Sequence, residues 1–380
     1  MKAPELPALT GIRFFAASLV FLDHSATLPG ETWSAVGFFS HHGLGNFGVA
    51  VFFVLSGFIL TYNYARWFGS GINPGNYGRF IWDRLAKIYP LYLLTLLMAI
   101  PIELAGHHRD WSWGALVMQL TLLQCILPVD QLSATNHFNV PAWSISCEMF
   151  FYLLAPVLIW LGLSFKRLAF MVTLGWLAAF SLAVTAGIWA MHVSAWPARF
   201  APARAAEFIV GVVTAVCYLK GRIPQTNTIR LCVAGGFILL VLSVIVPNPA
   251  TCLRIGFLSS PGAALLIYGL AYGQGWLAQF LSHRWLVLLG MASFAFYLIH
   301  DLIFRVFRGI FEHYHISASS CLTTAAIIVI LFVLTQFLSI CLMKMVEVPT
   351  QKYLRSLVRR KNPAASVDAG QTFAATDQRP

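Results

Sequence analysis

Residues 44–65 have the sequence LGNFGVAVFFVLSGFILTYNYA and contain no charged side chain. A segment of this kind matches the roughly 20 apolar residues that an α-helix needs to cross the hydrocarbon core of a bilayer. The composition of the 380-residue chain extends this interpretation, because 58% of its residues are hydrophobic and only 10% are charged. Soluble proteins carry about 25% charged residues, so much of this protein's surface must face lipid. We therefore predict an all-α, polytopic integral membrane protein.

Apolar segments long enough to span a membrane recur along most of the chain, and they predict about ten transmembrane helices. The predicted spans are 8–28, 44–65, 86–105, 142–163, 168–191, 205–220, 231–247, 254–273, 285–308 and 318–343. A further apolar stretch, 113–127, is shorter and is typical of a re-entrant or interfacial segment. We predict a transmembrane domain over 1–355 and a disordered, polar cytoplasmic tail over 356–380.

The distribution of basic residues predicts the orientation of the helices. Residues 66–87, around the loop after the second predicted span, carry four lysines and arginines, whereas residues 29–43 carry none. Cytoplasmic loops are enriched in these residues, so the loop after the second span is expected to be cytoplasmic. Both termini are then cytoplasmic if ten helices span the membrane and 113–127 does not cross it.

The formal charge of +11 first raises the question of a nucleic-acid partner. The basic residues lie in short loops and near the C-terminus, where they are better explained by membrane orientation. We therefore expect no nucleic-acid partner. The seven cysteines form no CxxC pair and no histidine-spaced pattern, so we expect no disulfide framework and no metal site.

The first predicted span carries three ionisable residues, Arg13, Asp23 and His24. Such residues are rare within spans and indicate a functional site. Arg13 and His24 share one face of a helix and lie about 16 Å apart along its axis. Arginine binds phosphate well, and histidine accepts a proton near neutral pH. This pair suits a long anionic donor whose reactive end lies near His24. The alternative is that Arg13 extends to the interface and His24 is a satisfied buried residue.

A second group of candidate binding residues comprises Arg79, Arg84, Lys87 and Tyr89. Arg84 and Lys87 are one helical turn apart, a spacing that suits a cytoplasmic phosphate site. A positive-inside anchor with an aromatic belt explains the same residues equally well. Ser56 and Gly57 are small residues in a bulky apolar helix, and close helix packing is the alternative to a role in binding.

A third group lies at the start of the span that includes WSISCE at 143–148. Glu148 is expected near the outer membrane surface, on the same side as His24, and a carboxylate at this depth needs a partner. We predict that Glu148 orients His24, with capping of the helix start as the alternative. The predicted supporting residues are Trp143, Ser144, Ser146 and His300.

Taken in order along the chain, these motifs resemble the membrane-bound acyltransferase family 3, over roughly residues 6–355. Members of that family O-acylate bacterial surface polysaccharides, lipopolysaccharide, Nod factors and macrolides. The matching motifs are Arg13 with His24, FFVLSGF at 52–58, RLAKIYP at 84–90, WSISCE at 143–148, YLIH at 297–300 and Glu347-Val-Pro349.

The resemblance implies an acyl-CoA donor, most commonly acetyl-CoA, and it makes Arg13 and His24 indispensable. It also implies that Ser56, Gly57 and Glu148 contribute to function. Lys87 stands where the family more commonly has arginine. Lysine keeps the positive charge but lacks the two-pronged phosphate geometry of arginine.

We accordingly expect an acyl-CoA-dependent O-acyltransferase of the bacterial inner membrane. The expected acceptor is a hydroxyl of an exopolysaccharide, an O-antigen or a lipid-linked sugar. Acyl-CoA is expected as a co-substrate, with no tightly bound cofactor. His24, paired with Glu148 or Asp23, would accept the hydroxyl proton. The alternative is a transporter of a lipid-linked or small polar substrate, although no internal repeat is evident.

Overall fold

The computed structural model of the protein describes residues 5–26, 44–105, 112–126, 138–164, 175, 199–245, 258–315 and 321–361. In these residues every regular element is helical, and no β-strand is present. The all-α class predicted from composition is therefore confirmed.

The helices are numbered here in chain order. The first half of the chain forms α1 (Pro7–Ser25), α2 (Leu44–Phe68), α3 (Pro74–Ala105), α4 (Trp113–Leu120), a 3-10 turn (Val140–Ala142) and α5 (Trp143–Ser164). The second half forms α6 (Ala201–Lys220), α7 (Thr226–Ile245), α8 (Ser260–Ala271), α9 (Trp276–Leu281), α10 (Arg284–Met291), α11 (Ser293–His313), α12 (Cys321–Leu342), a π-helical turn (Met343–Glu347) and α13 (Val348–Lys361).

Six helices in the described part of the chain are long and apolar enough to cross a membrane. They are α2, α3, α5 with its preceding 3-10 turn, α6, α7 and the continuous helix from α12 to α13. The helices α10 and α11, bent by 59° at their junction, form a seventh span if the pair is counted as one. The protein is therefore a multi-pass membrane protein with six or seven candidate spans in its described residues.

Three of the ten predicted spans differ from these helices. The first predicted span corresponds to α1, which is less apolar because it carries three ionisable residues. The predicted span 254–273 contains α8, a helix of only 12 residues. The predicted span 168–191 falls outside the described residues. The total of ten spans therefore stays a prediction.

α1 is surrounded by protein rather than exposed as an outer helix of the bundle. It begins with Pro7, whose fixed φ suits the first turn, and it contacts α2, α8, α9, α10 and α11. Near its C-terminal end, Phe21 packs against Phe296 and Phe304 of α11, with ring centroids 5.5 and 4.7 Å apart. The ionisable residues of α1 are therefore carried into the interior of the bundle.

The helices α2 and α6 cross so closely that only glycine fits at the crossing. A Cβ atom on Gly57 of α2 would lie 2.1 Å from the carbonyl oxygen of Phe208, and one on Gly211 of α6 would lie 2.0 Å from that of Val54. Such small-residue contacts let helix backbones pack tightly in membranes. For Gly57, the packing alternative to a binding role is therefore the one that the structure supports.

The apolar stretch 113–127, typical of a re-entrant or interfacial segment, contains α4, which is only 8 residues long. A helix of that length rises about 12 Å, well short of the ~30 Å hydrocarbon core. Side-chain hydrogen bonds hold it against its neighbours: Tyr89 and Tyr92 of α3 donate to the carbonyl oxygens of Leu120 and Gln119. The segment is thus a short helix fixed against α3.

Two helices are much longer than a bilayer requires. α3 has 32 residues, and the helix from Leu322 to Val358 has 37. The N-terminal part of α3 and α13 pack together, joined by an Arg355–Asp83 ion pair of 3.4 Å and a 3.0 Å bond from Trp82 to the carbonyl oxygen of Leu354. Since α13 extends to Lys361, the first residues of the segment predicted as a disordered tail are helical.

The α2–α6 crossing predicts a measurable packing effect. Substitution of Gly57 by Ala forces the two backbones apart and should lower the free energy of unfolding by about 1–3 kcal/mol, the usual cost of overpacking. Gly235→Ala in α7 is the matched control, since a Cβ there meets no atom within 4 Å. Melting temperatures in detergent should fall for Gly57→Ala and stay level or rise for Gly235→Ala. An equal response of the two variants would contradict the packing assignment.

Candidate active site

The C-terminal end of α1 forms a histidine pair with α11. Nδ1 of His24 lies 2.8 Å from Nε2 of His300, and the two ring planes are inclined by 22° with centroids 5.0 Å apart. The other ring nitrogen of His300, Nδ1, lies 2.7 Å from the carbonyl oxygen of Tyr297. His300 is fully buried, whereas His24 is half-buried. The pair therefore presents one accessible imidazole held by an inaccessible one.

Asp23 is adjacent to His24 in sequence, but it faces α2. Its Oδ2 atom lies 2.6 Å from the position that a Cβ on Gly45 would occupy, and its carboxylate accepts a hydrogen bond from the Gly45 backbone. Its other oxygen, Oδ1, has no hydrogen-bond partner among the described residues. Asp23 therefore joins the end of α1 to the start of α2 and also interacts electrostatically with His24.

Ionic and hydrogen bonds hold α11 in the register that brings His300 to His24. Arg305 pairs with Glu103 of α3 and with Asp301, each at 3.0 Å. Tyr297 donates a 3.0 Å hydrogen bond to the carbonyl oxygen of Pro141, and Asn139 donates one of 3.0 Å to that of Leu298. These contacts fasten α11 to α3 and to the 3-10 turn, so the histidine pair rests on three separate parts of the chain.

A second polar cluster lies toward the other end of α1. Lys87 of α3 interacts electrostatically with Arg13, Arg84, Glu347 and Glu148. Among the described residues, neither Arg13 nor Lys87 has a hydrogen-bond or ion-pair partner within contact distance. Three cationic side chains thus face two carboxylates inside the bundle without closing into ion pairs.

The remaining contacts of this cluster are made by tyrosines. The Arg84 guanidinium donates a 2.8 Å hydrogen bond to the Tyr64 hydroxyl and lies over its ring, while its Nε atom has no partner among the described residues. The Tyr152 hydroxyl donates a 2.5 Å hydrogen bond to Glu148. Tyr152 also interacts electrostatically with Arg13 and Arg84, so it connects Glu148 to the cationic side chains.

The structure shows other partners for Glu148 and His24, so their predicted pairing stays a prediction. Glu148 is bonded to Tyr152 and belongs to the cationic cluster, and His24 is bonded to His300. Glu148 and Tyr152 are four residues apart and share one face of α5. Glu148 also interacts electrostatically with Tyr297, which lies one turn from His300. It therefore lies between the two clusters.

Several other candidate residues have structural contacts that account for them. The Ser146 hydroxyl donates a 2.6 Å hydrogen bond to the carbonyl oxygen of Leu122, and that of Ser144 donates a 3.2 Å bond to Pro141. Trp143 lies 5.5 Å from the guanidinium of Arg204, which pairs with Glu207 at 2.7 Å. These residues shape the start of α5.

The last candidate residues lie at the margins of the clusters. The guanidinium of Arg79 lies 5.1 Å from the centre of the Trp67 ring. The Tyr89 hydroxyl donates its hydrogen bond to a carbonyl oxygen of α4. Ser56 is half-buried beside the α2–α6 crossing. The structure thus brings Arg13, Arg84, Lys87 and Glu148 together, and it does not draw Arg79, Tyr89 or Ser56 into that cluster.

Sequence reasoning left Glu347 and Tyr152 outside the candidate site. Glu347 lies at the end of the π-helical turn, is 7% exposed, and interacts electrostatically with Lys87 and Arg13. A π-turn inserts an extra residue into a helix and is frequent at functional sites. A glutamate following an otherwise apolar span was the available signal for Glu347. No sequence signal pointed to Tyr152, because aromatic residues are common in membrane spans and its neighbours do not distinguish it.

The sequence of the chain is similar to that of a known protein family. A family model described as an acyltransferase domain, Acyl_transf_3, matches residues 6–344. The chain belongs to this acyltransferase family. The match includes α1, the histidine pair, all of the cationic cluster except Glu347 and nearly all of the helical bundle, so the protein is a multi-pass membrane acyltransferase.

Individual relatives agree with this assignment. The acyltransferase MdmB of Streptomyces mycarofaciens is 35% identical over 331 residues, covering 80% of this chain and 80% of its own. The exopolysaccharide production protein ExoZ of Rhizobium meliloti is 28% identical over 278 residues, covering 70% and 78%. Protein 2 of the picA locus of Rhizobium radiobacter is 29% identical over 156 residues, covering 37% and 75%. No solved structure matches the acyltransferase significantly.

The ion pairs that fix α11 predict a large stability effect. Arg305→Met leaves Glu103 and Asp301 without their cation and should lower the free energy of unfolding by up to about 3–5 kcal/mol, as when one partner of a buried pair is removed. Arg308→Met, one turn along α11, is the matched control because Arg308 makes no ion pair with the described residues. The melting temperatures of the two variants in detergent test this prediction. A fall for Arg308→Met as large as that for Arg305→Met would contradict the assignment.

Proposed function

We propose that the acyltransferase moves an acyl group, in the first instance acetyl, from cytoplasmic acyl-CoA to a hydroxyl of a carbohydrate acceptor. The acceptor class includes exopolysaccharide, O-antigen and lipid-linked sugars. The name of ExoZ supports a polysaccharide-related acceptor, since that relative is an exopolysaccharide production protein. The proposed location is the inner membrane of a bacterium, with ten spans and both termini in the cytoplasm.

The observation that carries the proposal is the group of cationic side chains inside the bundle. Arg13 and Lys87 lack ion-pair partners among the described residues, and Arg84 has an unpartnered Nε. Buried cations are expensive unless they are compensated. The phosphates of coenzyme A would supply that compensation, and arginine and lysine are the usual phosphate partners. The cluster therefore supports an anionic donor.

The geometry of α1 supports a donor that lies along this helix, with its phosphates near Arg13 and its thioester near His24. Arg13 and His24 are eleven residues apart on a continuous helix, which separates them by about 16 Å along its axis. An extended pantetheine arm running along α1 would carry the thioester from the cationic cluster to the histidine pair. Glu148 and Tyr297 lie between the two clusters and would line this path.

The chemistry proposed at His24 is general base catalysis. The half-buried imidazole would accept the proton of the acceptor hydroxyl as the oxygen attacks the thioester carbonyl. A route in which His24 itself is transiently acylated uses the same residues. Both routes require an unprotonated ring nitrogen at the reacting end of α1.

The transporter alternative is less well supported. Membership of an acyltransferase family favours a chemical step. A transporter also would not need a histidine held in a defined orientation about 16 Å from a cationic cluster. The observation that would favour transport is movement of the glycan across the membrane by a protein that releases no thiol from acyl-CoA.

The decisive variant for catalysis is His24→Ala. Loss of a general base should lower acyl transfer at least about 100-fold, measured as thiol release and as ester formation on candidate glycans by the purified protein in liposomes. His313→Ala, at an exposed position near the end of α11, is the control and should keep wild-type activity. Full activity in folded His24→Ala protein would end the proposal.

The donor site is tested with Lys87→Met. Loss of a phosphate contact should raise the KM for acyl-CoA by about tenfold or more and leave kcat largely unchanged. The effect should vanish with acyl-pantetheine, a donor that lacks the nucleotide phosphates. Lys344→Met, at an exposed position beside the same helices, should behave as wild type with both donors. An equal effect of Lys87→Met on both donors would show that Lys87 does not bind phosphate.

A further inference from the structure

We propose that His300 is a positioning residue that fixes His24 in one tautomer and thereby makes Nε2 of His24 the proton-accepting atom. This inference deepens the proposed function and rests on it. In this proposal the partner of His24 is a second histidine, itself bonded to a backbone carbonyl group, rather than the expected carboxylate.

The hydrogen-bond partners define the tautomers of both rings. The carbonyl oxygen of Tyr297 can only accept, so the His300 Nδ1 atom facing it at 2.7 Å must carry a proton. The His300 ring is fully buried and packs near Phe21, Phe296 and Phe304, an apolar enclosure that suits the neutral form. A neutral ring protonated at Nδ1 has its lone pair on Nε2.

The tautomer of His300 determines that of His24. The lone pair on Nε2 of His300 faces Nδ1 of His24 at 2.8 Å, so Nδ1 of His24 must be the donor. Neutral His24 then carries its lone pair on Nε2. The chain of bonds runs from the Tyr297 carbonyl through His300 to His24, and each proton position follows from the one before.

This arrangement performs the orienting role that an aspartate performs in a Ser-His-Asp triad. His300 accepts a hydrogen bond from His24, holds its ring in one orientation and stabilises the proton that remains on Nδ1. The ion pairs of Arg305 with Glu103 and Asp301 keep α11 in place, so His300 is a rigid partner.

The group transfer balances with these assignments. Nε2 of His24 accepts the proton of the acceptor hydroxyl while the hydroxyl oxygen forms a bond to the thioester carbonyl carbon. The carbon–sulfur bond then breaks, and the departing coenzyme A thiolate takes the proton from Nε2. The products are the acyl ester and free coenzyme A thiol, and His24 returns to its starting tautomer. His300 exchanges no proton in this sequence.

A positioning role makes a specific kinetic prediction. His300→Leu fills a similar volume but cannot accept a hydrogen bond, and it should lower kcat by about 10- to 100-fold. The KM values for acyl-CoA and acceptor should stay near wild type, because the cationic cluster is unchanged. His300→Gln places an amide oxygen within reach of Nδ1 of His24 and should recover much of the lost kcat. Melting temperatures identify any variant that fails to fold.

A purely structural role gives a different pattern. If His300 only fills space, folded His300→Leu should match wild type, or His300→Gln should lose as much activity as His300→Leu. Either result would overturn the proposal. Equal loss in both variants would show that the packing of this ring matters and its hydrogen bond does not.

A spectroscopic measurement keeps the test independent of turnover. In protein labelled with 15N-histidine, the His24 signals, assigned by their loss in His24→Ala, should report protonation at Nδ1 in the wild type. In His300→Leu they should shift toward protonation at Nε2. Absence of acyl transfer by the wild type would refute the proposed function, whereas Nε2 protonation in the wild type would refute the role of His300 alone.

Discussion

The organisation of this protein depends on the burial of one polar helix among apolar ones. α1 carries Arg13 and His24 into a bundle that is otherwise surrounded by lipid, and a membrane interior supplies no water to solvate them. The surrounding helices must therefore provide the missing interactions. Near Arg13 they provide the carboxylates of Glu347 and Glu148, although the cations Lys87 and Arg84 lie in the same cluster; at His24 they provide a second histidine. The packing of the helices serves these requirements.

The two ends of α1 lie in different surroundings. The histidine end is closed by short, directional contacts: a ring-to-ring hydrogen bond, a carbonyl acceptor and the ion pairs of Arg305. The cationic end is electrostatically open, because Arg84 and Glu148 are hydrogen-bonded to tyrosines and Arg13 and Lys87 make no ion pair with the described residues. A closed end suits chemistry that needs fixed geometry. An open end suits a charged ligand that enters and leaves.

Much of this could be predicted from the sequence, for reasons that are local. The low charged fraction dictated a membrane protein, and the period of the α-helix placed Arg13 and His24 on one face. The one-turn spacing of Arg84 and Lys87 grouped them correctly. The apolar stretch 113–127 is shorter than a span in the sequence, and its helix α4 has only 8 residues.

The partners across the fold could not be predicted, because they depend on which helices become neighbours. Glu148 and Asp23 were the predicted partners of His24, and His300 was predicted only as a supporting residue, because sequence order does not show which helix faces His24. Glu103 and Arg305 are separated by 202 positions, so no local pattern connects them. Gly57 was also ambiguous, since a small residue in a span serves packing or binding equally well until the facing helix is known. Its close approach to Phe208 supports a role in packing.

The central claim is that one donor molecule bridges both ends of α1. The most direct measurement is an electron cryomicroscopy structure of the acyltransferase with a non-hydrolysable thioether analogue of acetyl-CoA. We expect phosphate density among Arg13, Arg84 and Lys87, with the acyl carbon beside Nε2 of His24. Density for the analogue at a different surface, or an acyl end remote from His24, would contradict it.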